Sequence, residues 1–483
     1  MKKIFKKYEE THQIKPFDET FKNIELINDQ DYIKESKKEN RRKGYKVGLG
    51  VLAASLAVIM LIPVCTILVM GFSIKDHMSY NKKQLSFQEK REYQTVKIEK
   101  LNDVKYPETK REYINIKKRH VEDVNNFTHQ IYLQSDKQSF APLNLYSHLH
   151  ILSGIASESK QDLFNQVLGS NEAMRYQGYI DSYRNNYYYN AETQEESYQY
   201  NGLFFDEDAL IDEGVKNHLT EEYVEIYSLD FNNQDHLNQM ASWVNAHNEG
   251  TSYEAKDFNV NQDTFMYLFS SYNFDNKWRA PYDSKDNFFH PFLNLDGSEK
   301  NQEFINHKYL GDIYDYGTYI SVYDYYNFGN TIQYITPKNR KNNIFDLIGE
   351  RNFLIEGDKN KTEYSAIDLS VPKFELTNQV DIKALLSNTP LSSIYDSESR
   401  VFNESFRLAN PSKNIYLEST EQHNKVKFNE EGTKVSSLTF SMGASSAMPN
   451  PDGGYQVILD SSFIFVIRDN QNIPLFLGQV TKL

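Results

Sequence analysis

The chain is 483 residues long, carries a formal net charge of −14 at pH 7 and contains one cysteine, Cys65. That acidic balance supplies no phosphate-neutralising surface and argues against nucleic acid as a partner. A lone cysteine excludes an intrachain disulfide framework and any multi-cysteine metal site, while length alone corresponds to about three domains by the usual prior.

Residues 1–46 are polar, with 13 Lys/Arg against 9 Asp/Glu. Ile24, Leu26 and Ile27 form no long periodic stripe, so a cytoplasmic tail with a short helix is expected. Val47–Ile74 follows, 28 residues without a charge and rich in Leu, Val, Ile and Ala. About 20 apolar residues cross a bilayer, so this stretch reads as one transmembrane helix. Arg41, Arg42, Lys43 and Lys46 precede it, against Lys75 and Asp76 just after. The asymmetry puts the amino terminus in the cytoplasm and everything after residue 75 outside the cell membrane. The polar lead and the apolar run are both too long for a cleavable signal peptide. Cys65 follows Ile62-Pro63-Val64, which lacks the small residue of a bacterial lipoprotein site, and reads as an ordinary apolar cysteine.

Residues 75–120 are dominated by Lys, Glu, Gln, Tyr and Asn, with one proline at Pro107. They are expected to form a charged stalk, partly helical between Leu85 and Asn102. A lipid-binding basic segment (Lys110, Arg111, Lys117, Lys118, Arg119) is the other reading, opposed by the interspersed acids and the outside location. A globular domain, 121–483, follows. Phe127–Leu133 and Leu143–Ile155 have helical apolar spacing, with Pro142 placed to start the second. Leu163, Phe164, Val167 and Leu168 before Gly169 predict a helix with a glycine stop. Tyr176–Tyr200 is expected to be helical on a wet surface. Leu203–Phe205, Thr264–Phe274, Ile320–Tyr325, Thr331–Thr336, Ile367–Glu375 and Ile415–Leu417 read as strands, and Phe265, Tyr267, Phe269 and Ser271 share one face. Mixed helices and largely antiparallel strands predict an α+β fold.

Conventional catalytic motifs are not supported. Gly443-Ala444-Ser445-Ser446-Ala447 echoes a nucleophile elbow but lacks its final glycine and a following helix. His148 and His150 have no third ligand in sequence and read as structural histidines. The acids Asp206–Asp208, Asp212 and Glu213 lack the spacing of a calcium loop.

Asn429–Pro451 is the unusual stretch. Val426, Phe428 and Glu430 alternate with Lys425, Lys427 and Asn429 as in a half-buried strand, and Gly432 offers a backbone hinge. Beyond it, Thr433, Val435, Ser437, Thr439 and Ser441 are all small or β-branched. Lys434, Ser436, Leu438, Phe440 and Met442 are mostly larger. One tight face and one roomier face is a strand pattern, yet it runs straight into Gly443–Ala447, Pro449 and Pro451, which is loop chemistry. Two readings stand: a plain surface loop, or a loop able to become a strand.

Residues beyond this stretch bear on that choice. Val457–Ile467 (VILDSSFIFVI) resembles the signature that follows the reactive loop of serpins, and Pro474–Val480 (PLFLGQV) resembles their terminal PLFxGxV. Asn429–Thr433 is similar to the serpin hinge and Val371–Phe374 (VPKF) to the xPKF strand. Asn201–Phe204, Tyr227–Phe231, Trp243–Asn245, Asn276–Trp278 and Phe140–Pro142 (an FSP motif without its serine) resemble further family segments in order. The likeness covers residues 121–483, close to one whole serpin domain.

The resemblance implies an inhibitor rather than an enzyme, without cofactor or metal, whose partner is a protease of serine type, with cysteine type as the other option. The protease cuts the loop as substrate, and the hinge side then inserts into the main sheet as a new strand. The implied hinge is Glu430, Glu431, Gly432, Thr433, Lys434, Val435, Ser436 and Ser437. Thr433 is expected near the surface before the cut and inside after it. Family spacing places the cut bond at Ser446–Ala447. The loop is about five residues longer than usual, so the bond can fall anywhere from Phe440 to Met448. Trp278, Lys373 and Glu430 are expected to meet where the hinge joins the sheet. Ala141, Asn144, Ser270 and Gln422 occupy the region beneath it, where family inhibitors carry two serines, an asparagine and a histidine. Val435 is larger than the usual hinge residue and adds an overpacking cost of about 1–3 kcal/mol if it fits poorly. The alternative is a non-inhibitory serpin fold acting as a surface binding or structural protein.

Overall fold

The computed structural model describes residues 98–111, 113–135, 138–248, 252–362, 365–410, 412–435 and 455–483. No helix among them is long and apolar enough to cross a membrane, and the apolar span 47–74 lies outside them.

An eight-stranded sheet organises the rest. In spatial order it holds β1 (Glu99–Lys100), β5 (Val224–Leu229), β3 (Glu195–Asp206), β6 (Met266–Lys277), β16 (Gly432–Val435), β15 (Glu421–Phe428) and β13 (Glu375–Asp381), with β2 (Tyr188–Asn190) hairpinned onto β3. The β3–β5 pair is parallel and the other pairs of this sheet are antiparallel. A second sheet runs β19 (Pro474–Val480), β18 (Phe463–Arg468), β11 (Thr331–Pro337), β10 (Tyr319–Tyr325) and β9 (Ile313–Asp315). A third runs β17 (Tyr455–Ile458), β12 (Ser365–Pro372), β8 (Glu299–Gly311) and β7 (Phe288–Leu293), and β4 (Ala209–Ile211) pairs with β14 (Phe406–Leu408).

The helices are α1 (Lys118–Gln134), α2 (Pro142–Ile155), α3 (Gln161–Leu168), α4 (Glu172–Asn185), α5 (Glu213–Glu221), α6 (Gln234–His247), α7 (Ile344–Ile348) and α8 (Ile382–Leu385). Pro142 opens α2, where its missing N–H costs nothing. Nearly every α2 side chain is buried because the helix packs against both β6 and β19. Gly169 ends α3 at φ 95°, a left-handed turn, and a Cβ there would sit 2.5 Å from Asp123 Oδ1. α6 crosses the opposite face of the large sheet. Its Trp243 packs edge-on against Phe204 (5.4 Å), over Gly202, where a Cβ would meet the indole at 2.7 Å.

Three expectations are corrected. Tyr176–Tyr200 is helical only through Asn185; the chain then makes the β2–β3 hairpin, because Tyr187, Tyr188, Tyr198 and Tyr200 are buried rather than wet. Ile415–Leu417 pairs with no strand among the described residues; the Leu417 N–H donates instead to Ile394 O at 2.9 Å. Residues 98–117 are no free stalk or helix. Of those described (98–111 and 113–117), Glu99–Lys100 pair with the large sheet as β1 and none is helical, with Ile98, Val104 and Ile116 buried.

Candidate functional site

A tight reversal at Asn429 positions the site. Asn429 Oδ1 accepts from the N–H groups of Glu431 (3.0 Å) and Gly432 (3.1 Å), a side-chain-closed turn that sends the chain back alongside β15. β16 therefore sits between two strands: Gly432, Thr433, Lys434 and Val435 face Lys277, Asn276, Asp275 and Phe274 of β6, while Thr433 and Lys434 face Phe428 and Lys427 of β15. The first part of the hinge, Gly432–Val435, already lies in the sheet of the uncut chain.

This overturns the expected exposure of Thr433, which is only 1% exposed. Its Oγ1 lies 2.6 Å from the hydroxyl of Tyr326, itself fully buried and stacked on Trp278 at 4.5 Å. Gly432 also serves differently from the expected hinge: its φ is not left-handed, but a Cβ there would lie 2.1 Å from Asn276 O. Glycine is needed for close approach, not for unusual dihedrals.

The sheet-top residues converge as the sequence implied. Glu430 Oε1 accepts from Lys373 Nζ (2.9 Å) and Asn287 Nδ2 (2.7 Å), and Glu303 is 3.1 Å from the same lysine. Burial opposes charge on Glu430, but hydrogen bonds from Lys373 and Asn287 outweigh it and hold the carboxyl below its ordinary value. Burial likewise disfavours charged Lys373, and the two glutamates more than offset it, raising its pKa. Trp278 donates from Nε1 to Asn429 O (2.9 Å) and from its backbone to Glu431 O (3.0 Å), holding the turn from below.

Beneath β16, no described strand bridges β6 and β15. Among the described residues, Met266–Asn273 of β6 and Glu421–Val426 of β15 each have a strand neighbour on one side only. A cavity of about 1280 Å³ runs between them, lined by Asn144, His148, Tyr267, Phe269, Tyr272 and Gln422 among others. The four residues expected here form one network. Gln422 accepts from Ala141 N (2.7 Å) and donates to Ala141 O (3.0 Å) and Asn144 Oδ1 (3.4 Å); Asn144 Nδ2 donates to Ser270 O (3.1 Å). His148, set aside in sequence as structural, belongs to it: Nδ1 is 3.1 Å from Ser270 Oγ. Desolvation beside the cavity pushes this imidazole below its ordinary pKa. Asn424 Nδ2 and Ser271 Oγ have no hydrogen-bond partner among the described residues.

Lys434 and Val435 are placed as backbone only, and Ser436, Ser437, Ser446 and Ala447 lie outside the described residues. Among those described, no group of three His, Cys, Asp or Glu side chains is arranged to hold a metal ion.

A split sheet with a hinge entering between its two halves, joined to the terminal β18–β19 hairpin, is a family-level arrangement, and sequence comparison identifies the family. The profile described as Serpin (serine protease inhibitor) matches residues 122–483. The chain belongs to the serpin family. It is 24% identical to plasminogen activator inhibitor 1 of Sus scrofa over 53% of this chain and 64% of that protein. It is 26% identical to Serpin B12 of Homo sapiens, again over 53% and 64%. The aligned part thus spans less than two thirds of these curated relatives. Among solved structures, the thermophilic serpin tengpin in its native state matches with a TM-score of 0.66 at 18% identity, covering 80% of this chain and 99% of tengpin.

Sequence reasoning missed Tyr326, Asn330, Asn287 and His148 in this serpin's site. For Tyr326, Asn330 and Asn287 the only advance signal was polar or aromatic character beside a strand end, and for His148 a lone polar ring within the apolar helix α2. What selects them is contact across separations such as the 107 residues between Tyr326 and Thr433.

Proposed function

We propose that this serpin inhibits serine proteases by trapping them: the protease cuts the loop after residue 435, and the freed strand fills the open slot beneath β16. The observation carrying this reading is the position of Thr433, already paired on both sides above a stretch where, among the described residues, no strand lies between β6 and β15. Continuing the β6 register places Ser437 opposite Tyr272, Thr439 opposite Ser270, Phe440 opposite Phe269 and Gly443 opposite Met266. Continuing the β15 register places Ser437 opposite Asn424 and Thr439 opposite Gln422. The small residues then face the polar network, where Ser437 supplies a partner for Asn424, and Phe440 meets the aromatic side of the sheet. Each backbone hydrogen bond so gained contributes roughly 0.5–1.5 kcal/mol net.

β6 ends opposite Gly443, three residues before Ser446. A cut at Ser446–Ala447 therefore frees enough chain to fill the slot, whereas a cut at Phe440 leaves its lower end empty. In the trapping step the protease serine Oγ bonds to the carbonyl carbon of Ser446. The C–N bond to Ala447 breaks, and the new amine of Ala447 takes the proton. Insertion then carries the ester-linked enzyme away before water reaches it.

The same reading makes residues 47–74 a single-pass anchor with the serpin domain outside the cell. The test is to mix the full chain, in detergent, with a panel of serine proteases. A complex that survives denaturing electrophoresis supports inhibition. Loop cleavage by several of them, with no such complex and no gain in melting temperature, refutes it and leaves a non-inhibitory surface protein.

A further inference from the structure

Residues 98–111 and 113–117 precede the part of the chain that the serpin profile matches, yet they are built into the domain. The segment climbs one edge of the large sheet. At its lower end the Ile98 N–H donates to Gln239 Oε1 of α6 (3.0 Å), and β1 pairs with β5. Lys100 Nζ donates to Glu225 Oε1 (2.6 Å), and Glu225 Oε2 accepts from Trp243 Nε1 of α6 (2.8 Å). Midway, the Tyr106 ring packs with Tyr187, Tyr200 and Tyr223 at 5.9, 5.5 and 6.4 Å between centroids. At the upper end Thr109 O accepts from Tyr189 N (2.9 Å). The Arg111 guanidinium lies between the rings of Tyr188 (4.3 Å) and Phe328 (5.4 Å), and its Nη2 donates to Asn330 Oδ1 (2.8 Å).

Asn330 is fully buried and passes the contact on. Its Nδ2 donates to Asn276 Oδ1 (2.9 Å) and to Tyr188 OH (3.1 Å), and Tyr188 OH donates to the same Asn276 oxygen (2.8 Å). Asn276 is the β6 residue opposite Thr433. The segment therefore reaches both the β6 residue that faces the hinge and, through Gln239 and the Glu225–Trp243 bond, helix α6.

We propose that this segment is a working part of the insertion machinery. Arg111 is a positioning residue for the hinge, acting through Asn330 and Asn276, and Lys100 restrains α6 through Glu225 and Trp243. The inference rests on the insertion reading above and adds a regulatory element that the serpin match does not include. Arginine is suited to the upper position because its planar fork stacks between two rings while donating sideways; lysine keeps the charge but not that geometry. Removing Arg111 leaves Asn330 Oδ1 buried without its donor, and the loosened amide no longer fixes Asn276.

The test uses hydrogen exchange on the uncut full chain in detergent, which needs no protease and so stands apart from the inhibitor question. Arg111→Ala is expected to speed exchange of the Gly432–Val435 amides about 10- to 100-fold, with β13 amides unchanged. Arg111→Lys is expected to fall between it and the parent, and Lys100→Ala to speed exchange in α6 while leaving β16 alone. A second readout is the fraction of loop cuts that end in a trapped protease, which should fall in Arg111→Ala while the cutting rate holds. If Arg111→Ala does not fold, Arg111→Lys carries the test. Parent-like exchange at β16 in a folded Arg111 variant overturns the proposal. A parent chain that traps no protease overturns the inhibitor reading instead, and leaves the exchange result to judge Arg111.

Discussion

Replacing Thr433 by Val separates a hinge that lies in the sheet from one that waits outside it. Valine keeps nearly the same shape and suits a strand, so packing and backbone preference barely change. What disappears is the contact between Thr433 Oγ1 and Tyr326 OH, 2.6 Å apart and both buried. The Tyr326 hydroxyl is left without that partner, at a cost of about 1–3 kcal/mol. Were Thr433 exposed, the same change would cost under about 0.5 kcal/mol. Urea unfolding of the uncut chain measures the difference, provided the slope of the transition stays constant. Tyr326→Phe should cost a similar amount. The double variant should cost less than the sum by about 1 kcal/mol or more, because both unpaired groups are then gone. A neutral Thr433→Val, or two changes that simply add, refutes the placement. Thr433→Arg should already harm the uncut chain by several kcal/mol, since a long cation has no partner in that buried position.

Other consequences can be checked in the same preparation. Gly432→Ala should expel β16 from the sheet, because its Cβ would overlap Asn276 O at 2.1 Å; faster exchange at Thr433 and at Asp275–Lys277 is the expected readout. Glu430→Lys removes the bonds to Lys373 and Asn287 and sets two cations together, so the uncut chain should lose about 1–3 kcal/mol and polymerise more readily on warming. His148 is held below its ordinary pKa by desolvation, so the unfolded chain takes up the proton first. Its contribution to stability is therefore complete above about pH 6.5 and is lost as the pH falls toward the depressed folded value. His120 and His129 are depressed by burial in the same direction, so His148→Gln should reduce, not abolish, the loss of stability across that window, and an unchanged pH profile would show that His148 does not contribute.

Much of this was legible in the sequence where the signal is local or carried by linear motifs. The helix from Pro142 to Ile155 announces itself by its apolar run and its opening proline, and the end of α3 by Gly169. The pairing of Lys373 with Glu430 was implied by the serpin resemblance of two short motifs, and the geometry places them 2.9 Å apart. What stayed hidden depends on distant partners. Thr433, expected near the surface before the cut, is instead enclosed by Tyr326, Trp278 and Asn276. Residues 98–117 look like polar stalk because their fixing contacts, Lys100 to Glu225 and Arg111 to Asn330, use charged and amide groups that hydropathy counts as solvent-seeking. The tyrosine-rich stretch Tyr188–Tyr200 misled for the same reason: tyrosine hydroxyls make it read as wet, while the rings are buried.

The central claim is that the gap between β6 and β15 is the destination of Ser436–Gly443. Cutting the loop with a protease of broad specificity and following hydrogen exchange before and after tests this most directly. The account predicts that amides of Met266–Asn273 and Glu421–Val426 become strongly protected once the loop is cut, and that the melting temperature rises with them. Exchange at both edges that stays as fast after the cut as before, at an unchanged melting temperature, would contradict it.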